Sequence, residues 1–411
     1  MSVSPGDIAD DGCRVADAHR RCEPAETVRR VSPLFERCGI TRVANLTGLD
    51  RVGIPVVAVY RPNARSVAVS QGKGRTLAAA RASGVMEAIE VWHAERCDVP
   101  LRRASAAEMR ATRGVCDLGG LPRAAGGAEG DPAAPRHWVE GVDLSDGAAL
   151  WCPLETVDAD YTRHDVRSEF LRSTNGLASG NGWPEAVGHG LCELIERDAV
   201  SVWRARARRL GRLDGRVDPA SVDDPACREL LARYAEAAVD VGLWDIASDT
   251  GVPAFLALVV DRDEPDGIAL ARPANGKGCH PSKAVALSRA LTEAAQTRLT
   301  YISGARDDLS DEDYDASAQR DNVRRARAML DERATVAPLD YRGLADHATA
   351  GIDADVAHLL DALGGIGLEQ AIAIDLAPGT PEVAVARVVV PGLEGPDEHP
   401  AWRPGTRALS A

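Results

Sequence analysis

The chain of 411 residues has few aromatic residues, no paired cysteine motif and no long apolar segment. Phe, Trp and Tyr together make up 4% of it, so Ala, Val and Leu must supply most of the core. The nine cysteines occur singly, without a C-x-x-C pair or a zinc-ligand spacing, which predicts reduced thiols in a cytoplasmic protein. The longest apolar run, VPAFLALVV, is too short to span a bilayer, and the N-terminus lacks the apolar core of a signal peptide.

Basic residues are outnumbered: the chain has 48 Lys and Arg against 62 Asp and Glu, for a formal net charge of −14. This excess of acidic residues argues against a general nucleic-acid-binding surface, although it still allows a local basic pocket for phosphate groups. Hydrophobic residues account for 45% and charged residues for 27%, which is typical of a soluble globular protein. We therefore expect no nucleic-acid partner and no membrane association.

Helix-like and strand-like segments alternate along the chain and predict a mixed α+β protein. Residues 1–20 are polar and acidic and predict a loose N-terminal end, followed by one domain over 21–411. Two stretches inside this domain, 104–136 and 304–322, have the composition of surface excursions. Helices are predicted near 25–38 and 353–363, and strands in PVVAVYRP, HWVEGVDL, QAIAIDL and VAVARVVVPGL.

Three segments share one pattern: a strand-like stretch, a Gly-x-Gly, and a helix with an acidic residue followed three places later by an acid or amide. The pairs on these helices are Glu87 and Glu90, Glu193 and Glu196, and Glu293 and Gln296. The second glycine precedes the first Glu by 13, 11 and 15 residues, so the segments do not form a solenoid of fixed period. We interpret them as three strand–turn–helix units around one site, with Lys73 and Lys277 in two Gly-Lys-Gly turns.

Residues three and four apart share one face of a helix, so each unit predicts a polar stripe. The three stripes are Ser83, Glu87 and Glu90; His189, Glu193 and Glu196; and Arg289, Glu293 and Gln296. Apolar residues between the stripes indicate that they border buried surface. Two carboxylates about 5.5 Å apart repel by about 3 kcal/mol at an effective dielectric near 20. Such a cluster needs cations, and its oxygen ligands favour Mg²⁺ bridged to phosphate groups.

Each of these motifs also has a purely structural interpretation. A single E-x-x-E is more often a solvated helix face, and a lone Gly-Lys-Gly is more often a turn. Arg197 beside Glu196, and Arg298 near Glu293, are equally consistent with structural ion pairs, and His189 with a packing histidine. The occurrence of the same pattern three times favours the functional interpretation.

Taken together, the stretches ARASGVMEAIEVWHAE, STNGLASGNGWPEAVGHGLCELIERDAV and LTEAAQTRLTYISGARDD resemble the YcaO family, over about residues 20–405. The resemblance implies a mixed α+β fold with the three units around one central ATP site, unrelated to the protein kinase fold. It also implies ATP and Mg²⁺ as cofactors. The implied reaction is phosphorylation of a peptide backbone amide oxygen, attack of a nucleophile on the amide carbon, and loss of phosphate.

The family's site residues carry over to matching positions of this chain, and the motif argument adds Lys73. The predicted nucleotide-binding residues are Lys73, Ser83, Glu87, Glu90, Asn181, Glu185, Glu193, Glu196, Arg197, Gln296 and Arg298. The predicted magnesium ligands are Glu87, Glu90, Glu185, Glu193 and Glu196, and the predicted catalytic residues are Glu193, Glu196 and Arg197. A basic residue and a hydroxyl of the family correspond to Arg20 or Arg21 and to Thr27.

The C-terminal sequence bears on the choice of nucleophile. Azoline-forming members commonly end in a P-x-P-x-P tail, whereas this chain ends HPAWRPGTRALSA. That ending, with ITRVANLTGLDRVGIPV and YISGARDDL, resembles the subgroup that works beside a TfuA protein, where the nucleophile is sulfide and the product a peptide thioamide. We therefore expect a precursor peptide, a TfuA-like partner, a sulfur donor and a homodimer. The alternatives are a cyclodehydratase that uses a peptide Cys, Ser or Thr, and a non-catalytic partner subunit.

Overall fold

The computed structural model describes residues 19–127, 130–162, 168–262, 272–331 and 337–411. Its helices are α1 (Pro24–Val31), α2 (Phe35–Cys38), α3 (Leu77–Arg96), α4 (Ala106–Thr112), α5 (Trp183–Leu210), α6 (Pro225–Glu236), α7 (Lys283–Ser303), α8 (Ala316–Asp331), α9 (Ile352–Gly365) and α10 (Thr406–Ser410). Its strands are β1 (Arg42–Asn45), β2 (Val56–Tyr60), β3 (Val69–Lys73), β4 (Leu101–Ala104), β5 (Arg136–Asp143), β6 (Ala149–Pro153), β7 (Leu177–Gly180), β8 (Arg216–Val217), β9 (Val239–Asp245), β10 (Ala254–Asp261), β11 (Ala274–Cys279), β12 (Ile372–Asp375) and β13 (Ala384–Val389). The predicted loose end, except for its last two residues, lies outside the described residues.

Local sequence signals place several elements where they were predicted. Pro24 is the first residue of α1, where its missing N–H costs nothing. The predicted helix over 25–38 is interrupted by a 3₁₀ turn at Ser32–Leu34, because Pro33 cannot donate to the helical ladder. The helix predicted at 353–363 lies within α9. The four predicted strand segments coincide with β2, β5, β12 and β13 to within one or two residues at each end, except that β13 ends at Val389, four residues before the end of its predicted segment.

The strands of the described residues form three antiparallel sheets. Their orders are β1-β2-β3, β11-β10-β9-β8 and β4-β5-β12-β13-β7, with β6 paired to β5. In each sheet one edge strand leads directly into a long helix: β3 into α3, β7 into α5, and β11 into α7. These three pairs are the units that the sequence pattern predicted.

Glycine lets two of the edge strands lie directly against their own helices. A Cβ on Gly72 would lie 2.1 Å from Ala80 O and from Gly84 N, and one on Gly278 would lie 2.1 Å from Ala286 O. The predicted Gly-Lys-Gly turns are therefore wrong in part. Gly72 and Lys73 belong to β3, and residues 276–278 lie entirely within β11. The main role of these glycines is close packing between strand and helix.

The same contacts correct the register of the sequence pattern. Gly72 and Gly278 meet their helices eight residues later in both cases, and each precedes the first Glu of its helix by 15 residues. Gln71 in β3 is therefore equivalent to Lys277 in β11, and the two lysines of the Gly-Lys-Gly motifs are not equivalent. The difference between the spacings of 13 and 15 residues in the first and third units results from aligning these two motifs by their lysines.

The three units are joined in a ring. Each site helix packs on its own edge strand and also contacts the edge strand of the following unit: α3 contacts β7, α5 contacts β11, and α7 contacts β3. The polar stripes of the helices face the junctions of this ring. Three elements distant in sequence thereby contribute side chains to one place.

The regions predicted as surface excursions also contribute structure. Residues 104–136 include α4 and place Met109, Cys116 and Leu121 in the core, whereas residues 304–322 include the start of α8. Among the described residues, no helix combines the length and the apolar character that crossing a membrane requires.

The close packing of β11 on α7 predicts that Gly276→Ala is strongly destabilising. Its Cβ would lie 2.1 Å from Ala290 O and 2.2 Å from Ala294 N, and these backbone atoms cannot move without shifting α7. We expect the free energy of unfolding, measured by urea denaturation, to fall by about 2–4 kcal/mol.

Gly364→Ala in α9 is the matched control, since no atom lies within 4 Å of its added Cβ. It should leave stability unchanged or raise it by up to about 1 kcal/mol. Equal stabilities for the two variants would contradict the packing described here.

Candidate active site

Five glutamates from the three site helices converge at the ring of units. Glu87 and Glu90 come from α3, Glu193 and Glu196 from α5, and Glu293 from α7. All five side chains are at least largely buried. The exposed fraction is 23% for Glu193 and for Glu293, and 11% for Glu196. The four acids that the sequence predicted as one cluster therefore do lie together, and Glu293 joins them.

Hydrogen bonds from neighbouring strands orient these carboxylates. Ser179 Oγ of β7 donates to Glu90 Oε2 at 2.9 Å. The backbone N–H of Gln71 donates to Glu87 Oε1, and that of Lys277 donates to Glu293 Oε1, both at 3.3 Å. Gln71 and Lys277 occupy equivalent positions in their strands, so β3 and β11 orient the first Glu of the helix that follows each strand in the same way.

The acids raise one another's pKa values. Burial, followed by the charges of Glu193 and Glu87, raises the pKa of Glu90 well above its ordinary value. Burial also raises the pKa of Glu193 to about 7, against the lowering effect of Arg197. The pKa of Glu196 is raised by burial and by the charge of Glu293. Negative charge at this site is thus only partly compensated by the protein itself.

Among the described residues, Lys73 and Arg197 form ion pairs with acids of the cluster. Lys73 Nζ of β3 forms an ion pair with Glu293 Oε2. Arg197 lies farther from its acids, with nitrogen–oxygen distances of 3.9 Å to Glu193 and 4.0 Å to Glu196. Burial alone would raise the pKa of Glu293, but Lys73 and Arg197 outweigh it and lower that pKa. The long distances leave the Arg197 guanidinium able to contact a further anion.

A third cation, Lys277, is held by the C-terminal segment. Its Nζ lies 2.8 Å from Glu398 Oε1, and the lysine side chain is only 4% exposed. Glu398 also pairs with Arg204 at 2.9 Å. Burial would raise the pKa of Glu398, but Lys277 and Arg204 lower it to about 2. In this structure, therefore, the positive charge of Lys277 is already balanced.

The same C-terminal segment is fixed to α5 next to Arg197. Arg407 donates to both carboxylate oxygens of the fully buried Asp198, at 2.8 and 2.9 Å. Asp198 also accepts from the backbone N–H of Glu394 at 2.9 Å, and Glu394 accepts in turn from the N–H groups of Gly405 and Ala408. The chain after β13 thus forms one wall beside the acid cluster.

A second polar network contains the predicted N-terminal residues. Arg20 Nη1 lies 3.0 Å from Glu185 Oε1, and the backbone N–H of Arg21 donates to Glu185 Oε2 at 3.1 Å. Asn181 joins Glu185 at 3.2 Å and accepts from Thr27 Oγ1 at 2.9 Å. The structure therefore brings the N-terminal residues that match the family, Arg20, Arg21 and Thr27, into contact with Asn181 and Glu185 of the second unit. Glu185 is engaged here, away from the five-glutamate cluster.

The predicted residues of α7 and Ser83 of α3 have different surroundings. Gln296 donates to the backbone oxygen of Gln71 at 3.2 Å and so lies at the junction of α7 with β3. Ser83 accepts from the backbone N–H of Lys73 at 3.4 Å. Arg298 is buried and pairs with Asp50 at 2.9 and 3.0 Å and with Asp261 at 3.2 Å. Its ion pairs connect α7 to two other elements, and its sequence-based partner Glu293 pairs with Lys73 instead.

Several residues at the site are not predicted by the sequence analysis. Glu293 is the acidic residue of the third polar stripe, but the family resemblance does not assign it to the site. Ser179, Gln71 and Glu398 reach the cluster only through contacts between segments far apart in sequence. Such contacts leave no local periodic signal.

Comparisons with known proteins agree with the predicted family. Residues 71–394 match the family model described as YcaO cyclodehydratase, ATP- and Mg²⁺-binding. The chain is 36% identical over 398 residues to an uncharacterised protein in the tfuA 3′ region of Rhizobium leguminosarum bv. trifolii, covering 96% of this chain and 93% of that protein. Both cofactors predicted from the sequence, ATP and Mg²⁺, are thus confirmed at the level of the family.

Solved structures share the fold. YcaO from Methanopyrus kandleri bound with AMPPCP and Mg²⁺ superposes with a TM-score of 0.69 at 25% identity, covering 95% of this chain and 98% of that one. A heterocyclase in complex with substrate and cofactor gives a TM-score of 0.74 at 22% identity over 92% of this chain, which spans about half of that longer protein. The mixed helix and sheet fold predicted from the sequence is confirmed, and this chain belongs to the YcaO family.

Proposed function

We propose that this protein is an ATP- and Mg²⁺-dependent enzyme that activates a backbone amide of a peptide, and that its product is a thioamide. The observation that carries the proposal is the convergence of five partly buried glutamates with too few cations to balance them. A set of carboxylate oxygens fits Mg²⁺, which commonly binds one or two carboxylates together with substrate phosphates. When bound, Mg²⁺ would neutralise negative charge on the phosphoryl group that is transferred.

Within this proposal the residues have separate tasks. Glu87, Glu90, Glu193 and Glu196 would hold the metal ions. Ser179 and the N–H of Gln71 fix the orientation of Glu90 and Glu87. Arg197 and Lys73 contact phosphate, since Arg197 has only long ion pairs and Lys73 lies at the same junction. Catalysis is then a matter of positioning and charge, as expected for phosphoryl transfer. ATP is consumed and is therefore a substrate.

The second network suits the other end of the nucleotide. Arg20, Thr27, Asn181 and Glu185 are linked in one hydrogen-bonded set beside the first turn of α5. We therefore assign Glu185 and Asn181 to nucleotide binding rather than to the metal ions. We leave Arg298 out of the proposed site because Asp50 and Asp261 already occupy its guanidinium.

The choice of thioamide rests on the sequence resemblance to the TfuA-associated subgroup and on the relative from a tfuA region. We accordingly propose a precursor peptide, a TfuA-like protein and a sulfur donor as partners, and a homodimer as the assembly. The competing function is azoline formation, which the likeness to a heterocyclase supports. A non-catalytic subunit is less consistent with a complete set of acids and Arg197.

Glu193→Gln should remove one metal-binding carboxylate and lower the rate constant of ATP hydrolysis. The loss of transition-state stabilisation predicts a fall of about 100- to 1,000-fold in kcat, measured with Mg²⁺ and saturating ATP. Glu229→Gln on α6 is the control, since that side chain is 52% exposed and pairs with Arg233 away from the cluster. An unchanged rate for Glu193→Gln would refute the assignment.

The same substitution should stabilise the protein when nucleotide and Mg²⁺ are absent. The pKa of Glu193 is about 7 in the folded protein against an ordinary value of 4.5, so the folded state keeps a proton that the unfolded state loses. Stability contributed by this group therefore falls as pH rises from about 5 to 7. At pH 8 Glu193→Gln should be more stable than the wild type by about 2–3 kcal/mol.

Urea denaturation at pH 5 and at pH 8 measures this effect. The two proteins should have similar stabilities at pH 5, because Glu193 is then protonated. Glu229→Gln should show no such gain at pH 8. A wild type that is the more stable protein at pH 8 would mean that Arg197 fully compensates the charge of Glu193.

The mass of the product separates the two proposed reactions. The protein is incubated with candidate precursor peptides, ATP, Mg²⁺, sulfide and a TfuA-like protein. Replacement of oxygen by sulfur adds about 16 Da, whereas cyclodehydration removes one water, about 18 Da. Gain of sulfur that requires ATP is the expected result, and loss of water without added sulfide would establish the azoline alternative.

A further inference from the structure

Glu398 places a carboxylate among the cations that border the acid cluster. Its Oε1 lies 2.8 Å from Lys277 Nζ and 2.9 Å from Arg204 Nη2. The Lys277 side chain is buried, whereas the Glu398 side chain is 49% exposed. A buried cation next to the proposed metal site is thus paired with a carboxylate that solvent can reach, and the proposed function gives this ion pair no role.

Lys277 and Glu398 are both close to the residues of the site. The backbone N–H of Lys277 donates to Glu293 Oε1 at 3.3 Å, so the lysine contacts the acid cluster directly. Burial lowers the pKa of Lys277, and the charge of Arg197 lowers it further. Against the lowering effect of burial, the charges of nearby carboxylates, Glu398 among them, raise the pKa of Arg197. Lys277 and Arg197 are therefore neighbouring cations, and Glu398 is an anion close to both.

The equivalent position of β3 shows that the ring of units does not require a charge here. Gln71 occupies that position and is bonded to α7, because its Oε1 accepts from Thr300 Oγ1 and its backbone oxygen accepts from Gln296. Lys277 instead pairs with a residue of the C-terminal segment. A neutral side chain serves at this place in the first unit, so the charge of Lys277 calls for a separate explanation.

The anchors of the C-terminal segment do not involve Glu398. Arg407 pairs with Asp198, and Glu394 accepts from two backbone N–H groups later in the segment. These contacts lie on either side of Glu398 in the sequence. The Glu398 side chain can therefore leave Lys277 while the segment stays in place.

A phosphate group suits the place that the Glu398 carboxylate takes. It carries about two negative charges and three acceptor oxygens, against one charge and two oxygens for a carboxylate. Asp397 pairs with Arg204 at 2.7 Å independently of Glu398, so the charge of Lys277 is the one that an incoming anion has to balance. Because the phosphate replaces a half-exposed carboxylate, it needs no enclosed cavity.

We propose that Lys277 and Arg197 form a binding site for a phosphate group of the reaction, and that Glu398 occupies this site until the phosphate displaces it. The inference rests on the proposed function, because it takes the phosphate from ATP. It adds to that function a further cation that contacts phosphate and an internal carboxylate that competes for the same place. The occupant is the terminal phosphate of ATP or the phosphate that is lost in the reaction.

Calorimetric titrations of the full chain with three ligands and Mg²⁺ test this site. AMPPCP carries a terminal phosphate group, ADP lacks it, and inorganic phosphate is the group alone. Glu398→Gln removes the competing charge and should tighten binding of AMPPCP or of inorganic phosphate about fivefold, with binding of ADP unchanged. A gain for AMPPCP identifies the terminal phosphate of ATP as the occupant, and a gain for inorganic phosphate alone identifies the phosphate that is lost.

Lys277→Gln removes the cation itself. It should weaken binding of the ligand that gains from Glu398→Gln by about tenfold and leave binding of ADP unchanged. When Lys277→Gln is present, adding Glu398→Gln should give no further gain, because both residues act at one site. Glu229→Gln on α6 is the matched control, since it removes one negative charge at an exposed side chain and should leave all three affinities unchanged.

Two results would overturn the proposal. The first is that Glu398→Gln leaves the affinities of both AMPPCP and inorganic phosphate unchanged. The second is that Lys277→Gln weakens ADP as much as AMPPCP, which would mean that the lysine only supports the structure. If Lys277→Gln does not fold, Glu398→Gln alone decides the question.

Failure of this inference is distinguishable from failure of the proposed function. A wild type that binds AMPPCP and ADP with Mg²⁺, and variants that bind them equally well, reject the phosphate site at Lys277 alone. A wild type that binds neither nucleotide rejects the proposed function. The titrations with inorganic phosphate then decide for or against the anion site by themselves.

Discussion

The burial of several carboxylates at one site, with the repulsion between them, is the constraint on which the rest of this structure depends. Glu87, Glu90, Glu193 and Glu196 all have raised pKa values, with burial as the first cause in each case. Such an arrangement persists only because the surrounding packing opposes it. The three tight strand–helix units supply that packing. In the proposed function the bound metal ions would carry the missing positive charge, which would link the stability of the fold to its chemistry.

Much of this site was predictable from the sequence because its signals are local. The spacing of three residues between acids, the small residues before them and the helical periodicity all lie within single units. These features predicted α3, α5 and α7, and the four acids that meet between α3 and α5. The agreement arises because a helix face is determined by near neighbours.

The remaining features depend on contacts that no local pattern records. The sequence aligned Lys73 with Lys277, whereas the strand–helix contacts align Gln71 with Lys277. Arg298 looked like a partner of Glu293, but Asp50 lies 248 residues before it and forms the bidentate pair. The C-terminal sequence indicates a subgroup through its prolines and its resemblance, but it does not indicate that Glu398 pairs with Lys277 or that Arg407 pairs with Asp198. Pairings of this kind follow from the topology.

The two kinds of contact within the ring also differ in stiffness. Inside a unit, the backbone of an edge strand meets the backbone of its helix with no room for a single methyl group, so the two elements cannot slide past each other. Between units, the helices also pack on the following strands, and the links at the carboxylates are polar contacts such as those of Lys73 with Glu293 and of Ser179 with Glu90. The contacts inside a unit are therefore stiffer than these polar contacts, and the carboxylates lie at the more adjustable junctions of the ring.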